Sequence, residues 1–255
     1  MPSVIAAELN IPSGATNEAH EMGDEPRNAF RREASSFVAD LASMESAHAF
    51  NPYSGHCAVH DCPDADLIRL DNLTRLLEAA LANGVDAIWV ARDLGYLGGR
   101  RTGLALTDEA HLADLAGMFG LPCLRRATVG PAVSERTATY IYRTLLRISA
   151  PTFLWNVFPL HPHEPGKPFS NRGHTAAERR SGQAFLQRLI DILRPRRVVA
   201  IGGDAARALE GIGVAHAKVR HPSYGGHIEF AAQVAALYEL PPVPETGLLA
   251  QNSLF

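Results

Sequence analysis

The 255-residue sequence predicts an α/β fold: a three-layer α/β/α sandwich around a central, mainly parallel, four-stranded sheet. Three observations point there. Strand-like and helix-like segments alternate between residues 27 and 240. The strand candidates are short apolar runs, the pattern of strands buried on both faces. With 46% hydrophobic residues the chain can fill a core, which excludes disorder throughout.

The elements follow in order. Arg27 to Met44 carries Phe30, Ala34, Phe37, Val38 and Leu41 at helical spacing. Leu67 to Leu81 repeats that spacing through Leu70, Leu73, Leu76, Leu77 and Ala80, and Asn83-Gly84 supplies a C-cap. Ala87-Ile88-Trp89-Val90-Ala91 is the first strand. Thr107-Asp108-Glu109 opens a helix with an N-cap and first-turn acids. Ser134 caps another helix, through Ile148. Thr152 to Val157 is the second strand, and a loop rich in Pro, His and Gly covers 158–174. Thr175 to Leu193 is helical. A third strand begins at Arg197 and closes with Gly202-Gly203, before a helix from Asp204 to Leu209. Ala215 to Val219 is the fourth strand and Ile228 to Leu240 the last helix.

Residues 1–26 read as a flexible tail, and 241–255, with Pro241-Pro242-Val243-Pro244, as a second. A single domain, 27–240, lies between them. Cys57, Cys62 and Cys123 are too few for a disulfide-dense scaffold or a four-thiolate iron–sulfur cluster. No apolar run reaches the ~18–20 residues of a membrane span. The start, Met1-Pro2-Ser3-Val4-Ile5, lacks the basic and apolar regions of a signal peptide. A cytoplasmic protein with no membrane partner is expected.

In open parallel sheets, ligands bind beyond the carboxyl ends of the strands. Four unusual ends converge there: Asp93, Asn156, Gly202-Gly203 and His221. Asp93 is followed by Gly95, Gly98, Gly99 and Gly103, a loop suited to close ligand approach or simply to tight turns. No P-loop or Gly-x-Gly-x-x-Gly helix start is present. Asn156 precedes a loop with Pro159, Pro162, Pro165 and Pro168. Its amide is able to read a nucleobase edge bidentately, or to tie down that loop. Arg220-His221-Pro222-Ser223-Tyr224-Gly225-Gly226 fixes a His at a strand end, as a donor to a ligand oxygen or as part of a plain turn.

Taken together, the order Asp…Asn…His-Pro-Ser resembles the uracil-DNA glycosylase superfamily. Asp93 with Gly103-Leu104 ten residues on resembles the classical uracil-DNA glycosylases. Gly95, Thr102-Gly103 and Phe50-Asn51-Pro52 resemble the single-strand-selective monofunctional branch. The resemblance covers roughly residues 50–240, a mosaic of both branches. Three departures stand out. Gly95, beside Tyr96, replaces the Tyr that excludes the thymine methyl. Leu106 replaces the aromatic that stacks on the base, leaving Phe50 or Tyr53 for that face. Gly225 replaces the leucine wedge, leaving Tyr224 or an arginine to fill the gap in the duplex.

The resemblance implies a monofunctional glycosylase that flips uracil out of DNA and hydrolyses its N-glycosidic bond, initiating base excision repair. Asp93 would stabilise the sugar cation and orient water, His221 would bond uracil O2, and Asn156 would read N3–H and O4. Arg100, Arg101, Arg220 and Ser223 would contact DNA, with Tyr224 and Gly225. No metal or other cofactor is implied. The implied partner is uracil-containing DNA, single- or double-stranded, and the implied state a monomer. Two other readings stay open. One is a catalytically silent binder of single-stranded or damaged DNA. The other is a metal-dependent hydrolase using His161, His163 and the His56, Cys57, His60, Cys62 cluster.

A formal net charge of −3 argues superficially against nucleic acid. It hides a split. Residues 1–85 hold 5 Lys+Arg and 13 Asp+Glu, while 86–225 hold 19 and 11. The motif-bearing region is the basic one, as a phosphate footprint requires.

Overall fold

The computed structural model describes residues 24–241 apart from Ser149. The expected tails lie largely outside the described residues, at 1–23 and 242–255. Residues 24–26 correct the N-terminal tail boundary, because helix α1 spans Asp24–Ala42. Pro26 reads as a tail residue but sits in the first turn, where its missing N–H leaves no helical bond unmade.

A two-residue strand β1 (Ala49–Phe50) and helix α2 (Ala65–Asn83) follow, the latter ending on Gly84 at φ 74°. Strand β2 (Ala87–Asp93) and the four-residue helix α3 (Gly99–Thr102) come next. The helix expected at Thr107 is split into a 3-10 turn, Glu109–His111, and α4 (Leu112–Met118), with Asp108 as the first cap. Helix α5 spans Arg136–Leu145 and its N-cap is Glu135 rather than Ser134, whose hydroxyl instead bonds Asp108. Then come β3 (Thr152–Phe158), β4 (His161–Pro162), α6 (Ala176–Leu193), β5 (Arg197–Ile201), α7 (Gly203–Gly211), β6 (Ala217–Val219) and α8 (His227–Leu237). Thr175 and Glu178 form the capping box of α6.

The sheet order is β3-β2-β5-β6, every pair parallel. Helices cover both faces. Phe37 of α1 meets Trp155 edge-on, while Phe230 of α8 meets Trp89 edge-on from the other side. Trp89 pairs in register with Leu154, so side-chain alternation puts Trp89 and Trp155 on opposite faces. Both are core residues, and the buried Trp89 donates its indole N–H to Tyr238 Oη. Helix α6 lies close on β3 because Gly182 has no Cβ; one there would sit 2.0 Å from the Val157 carbonyl. The 158–174 loop is not wholly irregular, since β4 pairs antiparallel with β1.

Candidate active site

An open cavity of about 490 Å³ lies at the carboxyl ends of the parallel strands. Asp93 reaches it from β2, Gly202 from the turn after β5, and His221 from the segment after β6. Leu106, Gly95, Ser223, Tyr224 and Arg220 line it too.

Asp93 ends β2 with its side chain 5% exposed. Each carboxylate oxygen has one donor. Arg92 Nε gives a hydrogen bond to Oδ2 at 2.6 Å, and His174 Nδ1 gives one to Oδ1 at 2.5 Å. Arg92 is shared with Asp204, 3.5 Å away. The carboxylate is thereby fixed in orientation at the cavity wall.

His221 is held by its own loop. Ser223 N–H and the Ser223 hydroxyl both give hydrogen bonds to Nδ1, at 3.2 and 2.8 Å. A nitrogen that accepts carries no proton, so the neutral ring has its N–H at Nε2. Burial, reinforced by Arg92 and Arg220, pushes the imidazole down to about 4. The ring at neutral pH is therefore a neutral donor. Beyond it, Tyr224 is 99% exposed at φ 51°, and Gly225 follows at φ 77°.

Asn156 is not at a strand end. Strand β3 continues to Phe158, and Asn156 pairs with Ala91 while Phe158 pairs with Asp93. Alternation then sets Asn156 on the Asp93 face of the sheet, one step deeper. The residue is 1% exposed, and neither amide atom has a hydrogen-bond partner among the described residues. Ala91, its register partner, lines the cavity.

The glycine loop is shaped by close approach. At Gly103 the backbone turns at φ 72°, and a Cβ would lie 2.9 Å from Arg69 Cβ. At Gly98 a Cβ would lie 2.3 Å from Glu135 Oε2. Glu135 shares the cavity, and burial beside Asp108 pushes its carboxyl up to about 7.

Several expected contacts are corrected. Arg100 and Arg101 are 3% and 4% exposed, so they do not reach phosphates from the surface. The turn of α3 points both inward. Arg101 pairs with buried Glu109 at 3.2 Å, and Arg100 lies over the rings of Phe50 and Phe169. Phe50 thus has a face covered by a guanidinium, and Tyr53 is buried with its hydroxyl on the Gly103 carbonyl at 2.6 Å. Neither lines the cavity. Tyr96 packs against Phe169, and its N–H bonds Asn171 Oδ1. Arg220 keeps a half-exposed side chain at the cavity.

Arg92, Glu135 and His174 escaped the sequence reading. Arg92 stands beside Asp93, but adjacency gave no sign that it turns back onto that carboxylate. His174 lies 81 residues from Asp93, within a loop holding other histidines. Among the described residues, no group of three or more His, Cys, Asp or Glu is arranged to hold a metal. Among them also, no helix is long and apolar enough to cross a membrane.

The family model of the uracil DNA glycosylase superfamily matches residues 100–240. That span includes Asn156 and His221 and begins just after Asp93. The crystal structure of wild-type SMUG2 from Pedobacter heparinus is similar in fold, with a TM-score of 0.56 at 13% identity. The alignment covers 88% of this chain and 99% of that one. No curated protein sequence matches the chain.

Proposed function

The chain belongs to the uracil DNA glycosylase superfamily, and from that premise we propose that it is a monofunctional glycosylase excising uracil from DNA. The observation that carries this reading is the meeting of a fixed carboxylate, Asp93, and a neutral imidazole donor, His221, in one cavity.

A base inside a duplex is out of reach, so it is flipped into the cavity at a cost of a few kcal/mol. The C1′–N bond then breaks, and its electron pair stays on the base. Positive charge builds on the sugar and negative charge on the uracil oxygens. Asp93 faces the sugar cation and orients the water whose oxygen adds to C1′. The water's proton leaves to solvent. His221 donates from Nε2 to O2 as that oxygen becomes anionic. Donors already aimed at the developing charge need no reorganisation. Asn156 accepts from N3–H and donates to O4, and its unpartnered amide supports that role. Cytosine presents the reverse pattern at N3 and C4. Arg220 contacts phosphate and Tyr224 fills the gap left by the flipped base.

The test is release of uracil from a labelled oligonucleotide, read by alkaline cleavage of the abasic site. Asp93→Asn and His221→Ala should each lower the single-turnover rate by about 10²–10³. Near-normal rates in both would overturn the reading.

A further inference from the structure

We propose that Glu135 is a specificity-determining residue of the pocket, whose carboxyl O–H donates a hydrogen bond to the keto oxygen of the base remote from His221. The inference rests on the uracil reading above and extends it. It starts from geometry. Glu135 is the N-cap residue of α5, yet its side chain makes no capping bond to its own helix. Its backbone is spoken for, with the N–H on Asp108 Oδ2 at 2.5 Å and the carbonyl accepting from Thr139 N–H at 3.0 Å. The carboxyl group forms no hydrogen bond or salt bridge with any described residue. Instead it lines the cavity that holds Asp93 and His221. Gly95 and Gly98 leave room for it: Cβ atoms there would stand 3.3 and 2.3 Å from its oxygens.

A carboxyl group without a partner among the described residues, on the wall of this cavity, meets whatever base enters. Its form decides what it accepts. Neutral, it carries one O–H donor and one acceptor; ionised, it is acceptor only and repels a keto oxygen. Burial and the nearby Asp108 carboxylate favour the neutral form up to about pH 7. Arg136 is next to it on the chain, and Asp93, Asp204, Arg92, Arg172, Arg220 and His221 share the cavity. A keto oxygen has two lone pairs, so Glu135 and the Asn156 amide can serve the same one.

The experiment measures kcat/KM for uracil release from a single-stranded oligonucleotide between pH 6 and 8.5. Wild type, Glu135→Gln and Glu135→Ala are compared, with thermal unfolding midpoints as the folding control. Glutamine keeps a donor and an acceptor at every pH. Ionisation near 7 should therefore lower the wild-type value relative to Glu135→Gln by roughly 30-fold across the range. Glu135→Ala should fall about tenfold or more below Glu135→Gln at pH 6, through loss of the hydrogen bond. Parallel pH profiles for wild type and Glu135→Gln, or equal activity of Glu135→Ala and Glu135→Gln, overturn the role of Glu135 alone. A wild-type protein that releases no uracil at any pH overturns the substrate reading and this inference with it.

Discussion

His174 Nδ1 lies 2.5 Å from Asp93 Oδ1, joining the residue just before the α6 cap to the last residue of β2. A carboxylate only accepts, so His174 donates. Arg92 holds the other oxygen, and the two donors together set the plane of the carboxylate. On the proposed function His174 would thus be a positioning residue. Removing it frees a rotation at Asp93, and small misplacements of a reacting group cost up to about 10²-fold in rate. His174→Ala should slow single-turnover uracil release roughly 10–100-fold. Binding of the same oligonucleotide should change far less. A rate within twofold of wild type would remove His174 from the site.

The His221 imidazole provides a second prediction. Its folded value of about 4 lies below the ordinary 6.5, because burial and the charges of Arg92 and Arg220 oppose protonation. NMR titration of its ring should show it still largely neutral at pH 5. In Arg92→Ala the midpoint should move upward, since one opposing charge is gone. The sign for stability follows. The unfolded chain takes up a proton below 6.5 and the folded ring does not until about 4, so this group's contribution is lost as pH falls through that window. The slope is about 1.4 kcal/mol per pH unit for one such group. Glu135 acts oppositely, since its folded value of about 7 lies above the ordinary carboxylate range and favours the fold as pH falls from 7. Urea unfolding should therefore lose stability more steeply toward acid in Glu135→Gln than in wild type.

On the proposed function, Arg101 and Arg220 should separate structural charge from charge that meets DNA. Arg101 faces Glu109 at 3.2 Å with side-chain exposures of 5% and 0%. Removing one partner of a buried pair leaves the other charge uncompensated, at about 3–5 kcal/mol. Arg101→Ala should lower the unfolding midpoint sharply. Arg220 is half-exposed at the cavity, so Arg220→Ala should leave the midpoint nearly unchanged. It should instead reduce the slope of log binding constant against log salt by about 0.7–0.9 on DNA. The opposite assignment of effects would return Arg101 to the interface.

The parallel sheet was legible because strands buried on both faces leave unbroken apolar runs such as 87–91 and 153–155. The polar end of β2 was legible for the same reason, since Arg92 and Asp93 close such a run, and Asp93 lines the cavity. Arg100 and Arg101 were misread because charge in a loop looks solvated in one dimension. Their burial depends on Glu109 and on the rings of Phe50 and Phe169, which chain distance hides. Asn156 read as lying at a strand end because the prolines that begin at 159 hide the last residue of β3, Phe158, which still pairs with Asp93 of β2. Glu135 left no signal beyond its place at a helix start, where an acid is expected anyway.

Tyr224 carries the last prediction. A ring 99% exposed, on a non-glycine residue at φ 51°, gains nothing from the core and holds an unfavourable backbone. Gly225 at φ 77° continues the turn that presents it at the cavity rim. In the proposed reaction such a ring would enter the duplex where a base has left. Flipping from a duplex costs a few kcal/mol of stacking and pairing, and a wedge returns part of it. Tyr224→Ala should therefore slow uracil release from duplex DNA by roughly tenfold or more, with a smaller loss on single strands, where no paired stack is opened. The unfolding midpoint should hold, because the ring makes no core contact. Tyr224→Leu should recover much of the duplex rate, since an apolar side chain also fills the gap. Equal losses on duplex and single-stranded substrates would mean that Tyr224 acts on the bound nucleotide itself and not on the stack it leaves.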